Sequence, residues 1–201
     1  DALPLKSSNL KRRVGESMRA CGMQEVQSLT LSNERDQFEK VRWPNEGYVT
    51  EIANPITLDH TLLRQYILPS LLRLLAANRH HELPQRVYEL GEVIRDSKNF
   101  LRAAWACAEV GSGFTSSKGI IQALLRDMGA IHDDVEFRAT DAEDGPWISG
   151  RGSHVFIHEE KIGEFGEIDP KVSGFFGIKS PIQAGEIDLE AIYRIVPDPI
   201  S

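Results

Sequence analysis

The residues able to do chemistry in this chain fall into four groups: six histidines, two cysteines, a few acidic runs and one glycine-containing turn. The turn, GSGFTSSKG from Gly111 to Gly119, lacks the spacing in which Lys and a hydroxyl follow the last glycine of a phosphate-cradling loop. It also lacks the three-glycine dinucleotide pattern, and suits an ordinary strand-to-helix turn. No glycine-framed serine elbow is present. His154 and His158 flank Val-Phe-Ile on an expected strand, where residues four apart lie roughly 13 Å from each other, too far to share an ion. His80-His81 closes an expected helix, where an imidazole favours the negative end of the backbone dipole. His60 and His132 are isolated and expected at the surface. Asp133-Asp134 and the cluster Asp141, Glu143, Asp144 read as solvated loops. Hard cations take carboxylates from such loops, but the repeating ligand spacing of a calcium loop is missing. Cys21 and Cys107 sit in apolar patterns and read as small buried hydrophobes in a reducing compartment rather than a disulfide.

These residues belong to a chain of 201 residues with net charge -7. That length suits one domain, 1–201, burying roughly 70% of its unfolded surface without staples. The acidic balance argues against a broad RNA-gripping face, so any role near RNA must be local or borrowed from a partner. No stretch approaches the ~20 apolar residues of a membrane span and no signal-peptide core is visible, so a cytoplasmic protein with no membrane partner is expected. The opening straight into an amphipathic helix suggests a fragment of a longer protein.

Helical spacing at Leu10, Val14, Met18 and Cys21 gives a first helix, with Ser8 as N-cap and Gly22 as stop. Val26 to Leu31 reads as extended, and Ser32-Asn33 caps a short second helix through Phe38 and Val41. YVTEIANPI reads as a strand ending at Asn54-Pro55. A strong helix runs from Pro69 to Asn78. Val87 to Ile94, interrupted by Gly91, and Leu101 to Val110 pair as a hairpin across Asp96-Ser97-Lys98-Asn99. Thr115 and Ser116 cap a helix stopped by Gly129; Val135 to Arg138 is strand-like, and Asp141 to Gly152 is a loop. Two alternating strands over SHVFIHEEKIGEFGEI, a helical turn at Asp169-Pro170, the strand PIQAGEIDL and a terminal segment Glu190 to Tyr193 follow. Strands succeeding one another through hairpins predict an α+β fold, an antiparallel β-sheet flanked by helices.

One ordered series goes further than pattern. Asn54, Pro55, Leu63, Arg64, Leu68, Pro69, Leu71, Leu72, Tyr88, Glu89, Leu90 and Gly91 resemble the catalytic-like domain of the phenylalanyl-tRNA synthetase β subunit. Gly113, Phe114, Lys118 and Gly119, and the stretch Gly163 to Leu189, resemble the same family, so the likeness covers nearly the whole chain. It implies a class II aminoacyl-tRNA synthetase-like fold. The end soon after GEIDL is similar to the shorter archaeal and eukaryotic type.

The three class II motifs are altered. The motif 1 pattern keeps Gly22, Met23, Glu25 and Val26 but has Leu29 in place of proline. At motif 2, Ile94, Arg95, Asp96 and Ser97 stand where the family pattern has Phe-Arg-x-Glu. At motif 3, PIQAGEIDLEAI offers Glu186 and no arginine before Arg194. Adenylate formation needs cations to balance phosphate charge, and two of the expected ones cannot be assigned. The resemblance therefore implies a module without catalytic residues and without a cofactor of its own, ATP and magnesium being expected only in the parent complex. Its implied partners are the catalytic α subunit, in an (αβ)₂ assembly, and tRNA(Phe) through the whole complex. Leu10, Val14, Met18, Met23 and Val26 are the candidate interface residues, although the helix face they start from equally suits the chain's own sheet. The alternative is a free-standing synthetase paralogue, or residual ligase, acting on another small substrate.

Overall fold

The computed structural model describes residues 2–196, with side chains from Ser8 onward; the expected domain 1–201 thus extends past the described residues at both ends. Nine strands and five helices alternate along it: α1 (Ala2–Ala20), β1 (Gln24–Glu25), β2 (Leu31–Ser32), β3 (Leu62–Leu63), α2 (Leu68–Ala77), β4 (Gln85–Arg95), β5 (Lys98–Ala108), α3 (Phe114–Asp127), β6 (Val135–Ala139), β7 (Trp147–Ile157), β8 (Glu160–Ile168), α4 (Pro170–Phe175), β9 (Ile182–Asp188) and α5 (Leu189–Ile195). Seven strands form one sheet in the order β1-β4-β5-β9-β8-β7-β6, antiparallel except for the short parallel β1 at one edge. The α+β architecture is the one the hairpin succession predicts.

Strand alternation splits the core in two. On β5, Ala103, Trp105 and Cys107 face a cluster with Val14 and Met18 of α1, Ile121 and Leu124 of α3 and Ile192 of α5. Ala104, Ala106 and Ala108 face the opposite cluster, with Leu68, Leu71 and Leu72 of α2 and Val172 of α4. Alanines on this second side let α2 approach the sheet closely.

Several local expectations yield to tertiary packing. The first helix begins at Ala2, so Ser8 lies inside it instead of capping it; Gly22, at φ +82°, ends it as expected. The second short helix is a single wide turn, Arg35–Glu39, with the Asp36 amide donating to Asn33 Oδ1 at 2.9 Å and buried Gln37 receiving the amides of Gln65 and Tyr66. The segment after it is not a continuous strand. Thr50 and Ile52 bond Leu63 and Thr61, only Glu51 bridges to Leu62, and residues 53–60 project as a loop. Of Val26 to Leu31 only Leu31 is in a strand, β2, and β1 ends just before the segment at Glu25. The hairpin turn is tighter than expected: Asp96 and Ser97, both at positive φ, make a two-residue turn, and Gly91 lies within an unbroken strand. Neither Thr115 nor Ser116 caps α3. Gly113 precedes it because Phe114 is drawn inward to stack on Phe165 at 5.4 Å, and Ser117 Oγ donates to Ala184 O. The expected loop to Gly152 ends sooner, since Trp147 starts β7 and an irregular register absorbs the glycines. Both cysteines are free; Cys107 is buried, which pushes its thiol up to about 12, and Cys21 is half-buried.

The family-like series around Arg64 and Glu89 acquires a physical reason. Both residues are buried, and Arg64 Nη2 meets Glu89 Oε2 at 2.7 Å. Arg64 also donates to Ser28 Oγ and Glu92 O, while Ser28 gives both its amide and hydroxyl to Glu89 Oε1. A Cβ on Gly91 would stand 2.6 Å from Arg64 Nη2 and 2.9 Å from Glu89 Oε2. Glycine is there to make room. Glu89→Ala should therefore cost about 3–5 kcal/mol by stranding a buried guanidinium, and Gly91→Ala about 1–3 kcal/mol by overpacking. Equilibrium urea unfolding measures both; losses under about 0.5 kcal/mol would show that the pair is dispensable.

Candidate functional site

The α2-facing side of the sheet holds a polar hollow of about 280 Å³ at its centre. Strand register explains its charge. Glu89 of β4 lies opposite Ala104, Ala104 opposite Glu186 of β9, Glu186 opposite Glu164 of β8, and Glu164 opposite His154 of β7. Three carboxylates and an imidazole thus form one transverse row. Like charges on adjacent strands repel unless neutralised, and each carboxylate here has its own cation. Glu89 holds Arg64, Glu186 holds Arg102 at 2.6 Å, and Glu164 holds Lys161 at 2.8 Å. Glu164 Oε1 also receives the indole N–H groups of Trp43 and Trp147, at 3.2 and 2.8 Å.

Glu186 does more than pair. Its Oε1 accepts the amides of Ile67 and Leu68, at 2.8 and 2.7 Å, where α2 begins. Those N–H groups and the helix dipole make a seat for an anion, and the chain's own side chain fills it. Burial alone would lower Arg102, but the Glu186 carboxylate reverses this and holds the guanidinium above its ordinary value.

Arg95, the motif 2 arginine, does reach this hollow. Its Nε and Nη2 donate to Gln65 O at 3.2 and 2.7 Å, and its guanidinium lies over the Tyr66 ring. Burial and neighbouring Arg102 push it below its ordinary value. Asp96 is not beside it: in the hairpin turn its Oδ1 accepts the Tyr48 amide at 2.7 Å. Arg194 pairs with Glu160 at an exposed position and takes no part. The residue that sequence reasoning missed is Arg102. Its signal was parity, since Arg102 shares a face with Ala104 and Ala106 and sits opposite Asp188. Overall the hollow is lined by Arg95, Arg102 and Lys161 against Glu46, Glu164, Glu186 and Asp188, one carboxylate more than it has cations.

The candidate interface residues are placed elsewhere. Val14 and Met18 are fully buried and Met23 nearly so, all in the core between α1, α3 and the sheet. Leu10 packs at the edge of that core, and Val26 against the α2-side core, donating its amide to Tyr88 O. Among the large apolar side chains left in solvent, which include Val110, Ile131 and Phe175 elsewhere, three lie nearby in sequence: Leu29 is 61% exposed, Ile56 99% and Leu58 88%. Leu29 precedes the segment bonded to Arg64 and Thr61, and Ile56 and Leu58 sit on the projecting loop held by the same hydrogen bonds. The histidines diverge too. His154 Nε2 meets Asp144 at 3.1 Å and His158 meets Asp134 at 3.4 Å; among the described residues no three His, Cys, Asp or Glu side chains converge as a metal site.

With that geometry in view, the comparisons are specific. A family model described as the phenylalanyl tRNA synthetase beta chain CLM domain matches residues 4–189. A phenylalanine–tRNA ligase beta subunit of Archaeoglobus fulgidus is 34% identical over 92% of this chain and 34% of its own length. Those of Methanopyrus kandleri and Pyrococcus horikoshii are 39% and 38% identical, over 84% and 86% of the chain and 29% and 31% of their own. The chain spans about a third of the length of the curated relatives it matches. A solved pyrrolysyl tRNA synthetase of Desulfitobacterium hafniense shares the fold, with TM-score 0.70 over 93% of this chain and 67% of that one, at 13% identity.

The self-filled seat gives a direct test. Glu186→Ala should lower the melting temperature, because Arg102 and two α2 amides lose their partner. Tens of millimolar acetate should restore part of the loss and chloride at equal ionic strength should not. Equal effects of the two salts in a thermal melt would mean that no anion seat exists there.

Proposed function

The chain belongs to the phenylalanyl tRNA synthetase beta chain family, and from that premise we propose that it is a non-catalytic module of a phenylalanine–tRNA ligase β subunit, which packs on a catalytic α subunit and supports charging of tRNA(Phe). The observation that carries this reading is the state of the sheet face. The row Glu89, Glu186, Glu164 spends the cations Arg64, Arg102 and Lys161 on internal partners, and Glu186 occupies the amides that begin α2. An adenylate-forming site needs those same kinds of donors free for phosphate oxygens. A surplus carboxylate in the hollow adds repulsion. ATP and magnesium are then the business of the partner, and Arg95, which a free-standing ligase would turn toward phosphate, is spent on the Gln65 carbonyl.

With Val14, Met18 and Met23 committed to the core, the docking surface for α is the neighbouring apolar group Leu29, Ile56 and Leu58. Nearly full exposure of two large aliphatic side chains on one ordered loop suits a protein interface. No helix among the described residues is long and apolar enough to cross a membrane, and the working compartment proposed is the cytoplasm.

Calorimetric titration of this chain with ATP and magnesium should give no binding heat, and pyrophosphate exchange should require an α subunit. Micromolar ATP affinity, or exchange by the chain alone, would sink the reading. In the full β subunit, Ile56→Asp combined with Leu58→Asp should abolish co-elution with α on size exclusion while leaving circular dichroism unchanged; co-elution intact would move the interface off this loop.

A further inference from the structure

Away from the sheet centre, the C-terminal end of α2, the start of β4 and the turn Gly177–Ser180 enclose a second cavity, of about 420 Å³. Its floor is apolar, from Leu75, Leu83 and Ile178, and its rim carries Arg79, His80 and Lys179. No carboxylate lines it. Within a chain of net charge -7 this makes a locally basic patch, with Arg79, His80 and Lys179 all exposed at it. Arg79 spends Nη1 on Ala76 O at 2.8 Å, and neither it nor Lys179 has an ion-pair partner among the described residues.

We propose that this cavity is a contact site for the phosphate backbone of RNA, with Arg79 and Lys179 each holding a phosphate and the apolar floor receiving the sugar between them. This rests on the reading of the chain as part of a tRNA ligase. The chemistry of the rim points to phosphates on discrete positions: two cations on separate flexible stems, with His80 next to Arg79 in the chain. No Phe, Tyr or Trp ring lines the cavity, so extended base stacking is not its main mode. An acidic peptide fits less well. Peptides are held by free sheet edges or by open helical grooves, whereas here β4 pairs with β5 from Gln85 onward and with β1 at Val87. The site also meets the requirement set by the acidic composition, that any role near RNA be local.

The test uses the complete synthetase, with Arg79→Glu and Lys179→Glu together in β and Arg79→Gln with Lys179→Gln as a milder pair. Three quantities are read: subunit assembly by size exclusion, phenylalanine-dependent pyrophosphate exchange, and anisotropy of labelled tRNA(Phe) at several salt concentrations. The expected result is normal assembly and exchange, a tRNA Kd raised about tenfold by charge reversal and less by neutralisation, and a salt slope smaller by about 2. Unchanged tRNA affinity and slope would overturn the proposal. Loss of assembly in the variants would also overturn it, by making the cavity a protein-docking site. Wild-type chains that fail to assemble with α at all would instead defeat the functional reading beneath it.

Discussion

The ion pair between Arg64 and Glu89 holds together parts of the chain that no regular structure joins. It sits at the side of β4 where β1 has already ended, and it bonds the irregular segment around Ser28 to the sheet while the Arg64 carbonyl takes the Ile94 amide. Two charges removed from water are stable only when every remaining donor and acceptor is met, and Ser28 and the Glu92 carbonyl meet them. The requirement spreads outward: Gly91 must lack a side chain, and the polypeptide on either side of Arg64 must run extended to reach its partners. The apolar loop of Ile56 and Leu58 hangs from that same framework, so its position is inherited from the buried pair.

The sheet face beyond it follows the same economy of charge. A row of carboxylates across four strands would be unstable bare, and each is answered by a cation from the chain itself. A fold whose central face is a natural place for ligands can thus be kept intact while its electrostatics are turned inward. What remains at the hollow is rigid polar packing: Trp43 and Trp147 hydrogen-bonded to Glu164, Tyr66 donating to Pro44 O, and Arg95 laid over the Tyr66 ring. Burial raises the Tyr66 hydroxyl well above its ordinary value, which keeps it a neutral donor.

Much of this was legible from the residues. Periodicity located α2 and the β4–β5 hairpin because their signals are local and strong. The family series was legible as an ordered set of residue types, although its cause, a buried pair needing a glycine neighbour, is a matter of three dimensions. The failures have one origin. Ser8, Thr115 and Ser116 are good caps in isolation, yet the helix ends were set by packing, as Phe114 against Phe165 illustrates. Arg102 was hidden because a lone arginine in an apolar strand reveals its role only once Glu186 is brought opposite its neighbour Ala104. Val14 and Met18 were read as an apolar face, correctly, but sequence cannot say which surface such a face meets.

The strand order also governs how this chain can be made. β9 is the last of the described strands in chain order, yet it lies in the middle of the sheet, between β5 and β8. Until it arrives, β4–β5 and β6–β7–β8 are two half-sheets, each with an unpaired edge open to the wrong neighbour. Closure brings Glu186 to Arg102 and to the start of α2 in the same event. Folding of this sheet therefore includes an interval of open edges that closes only when β9 inserts between them.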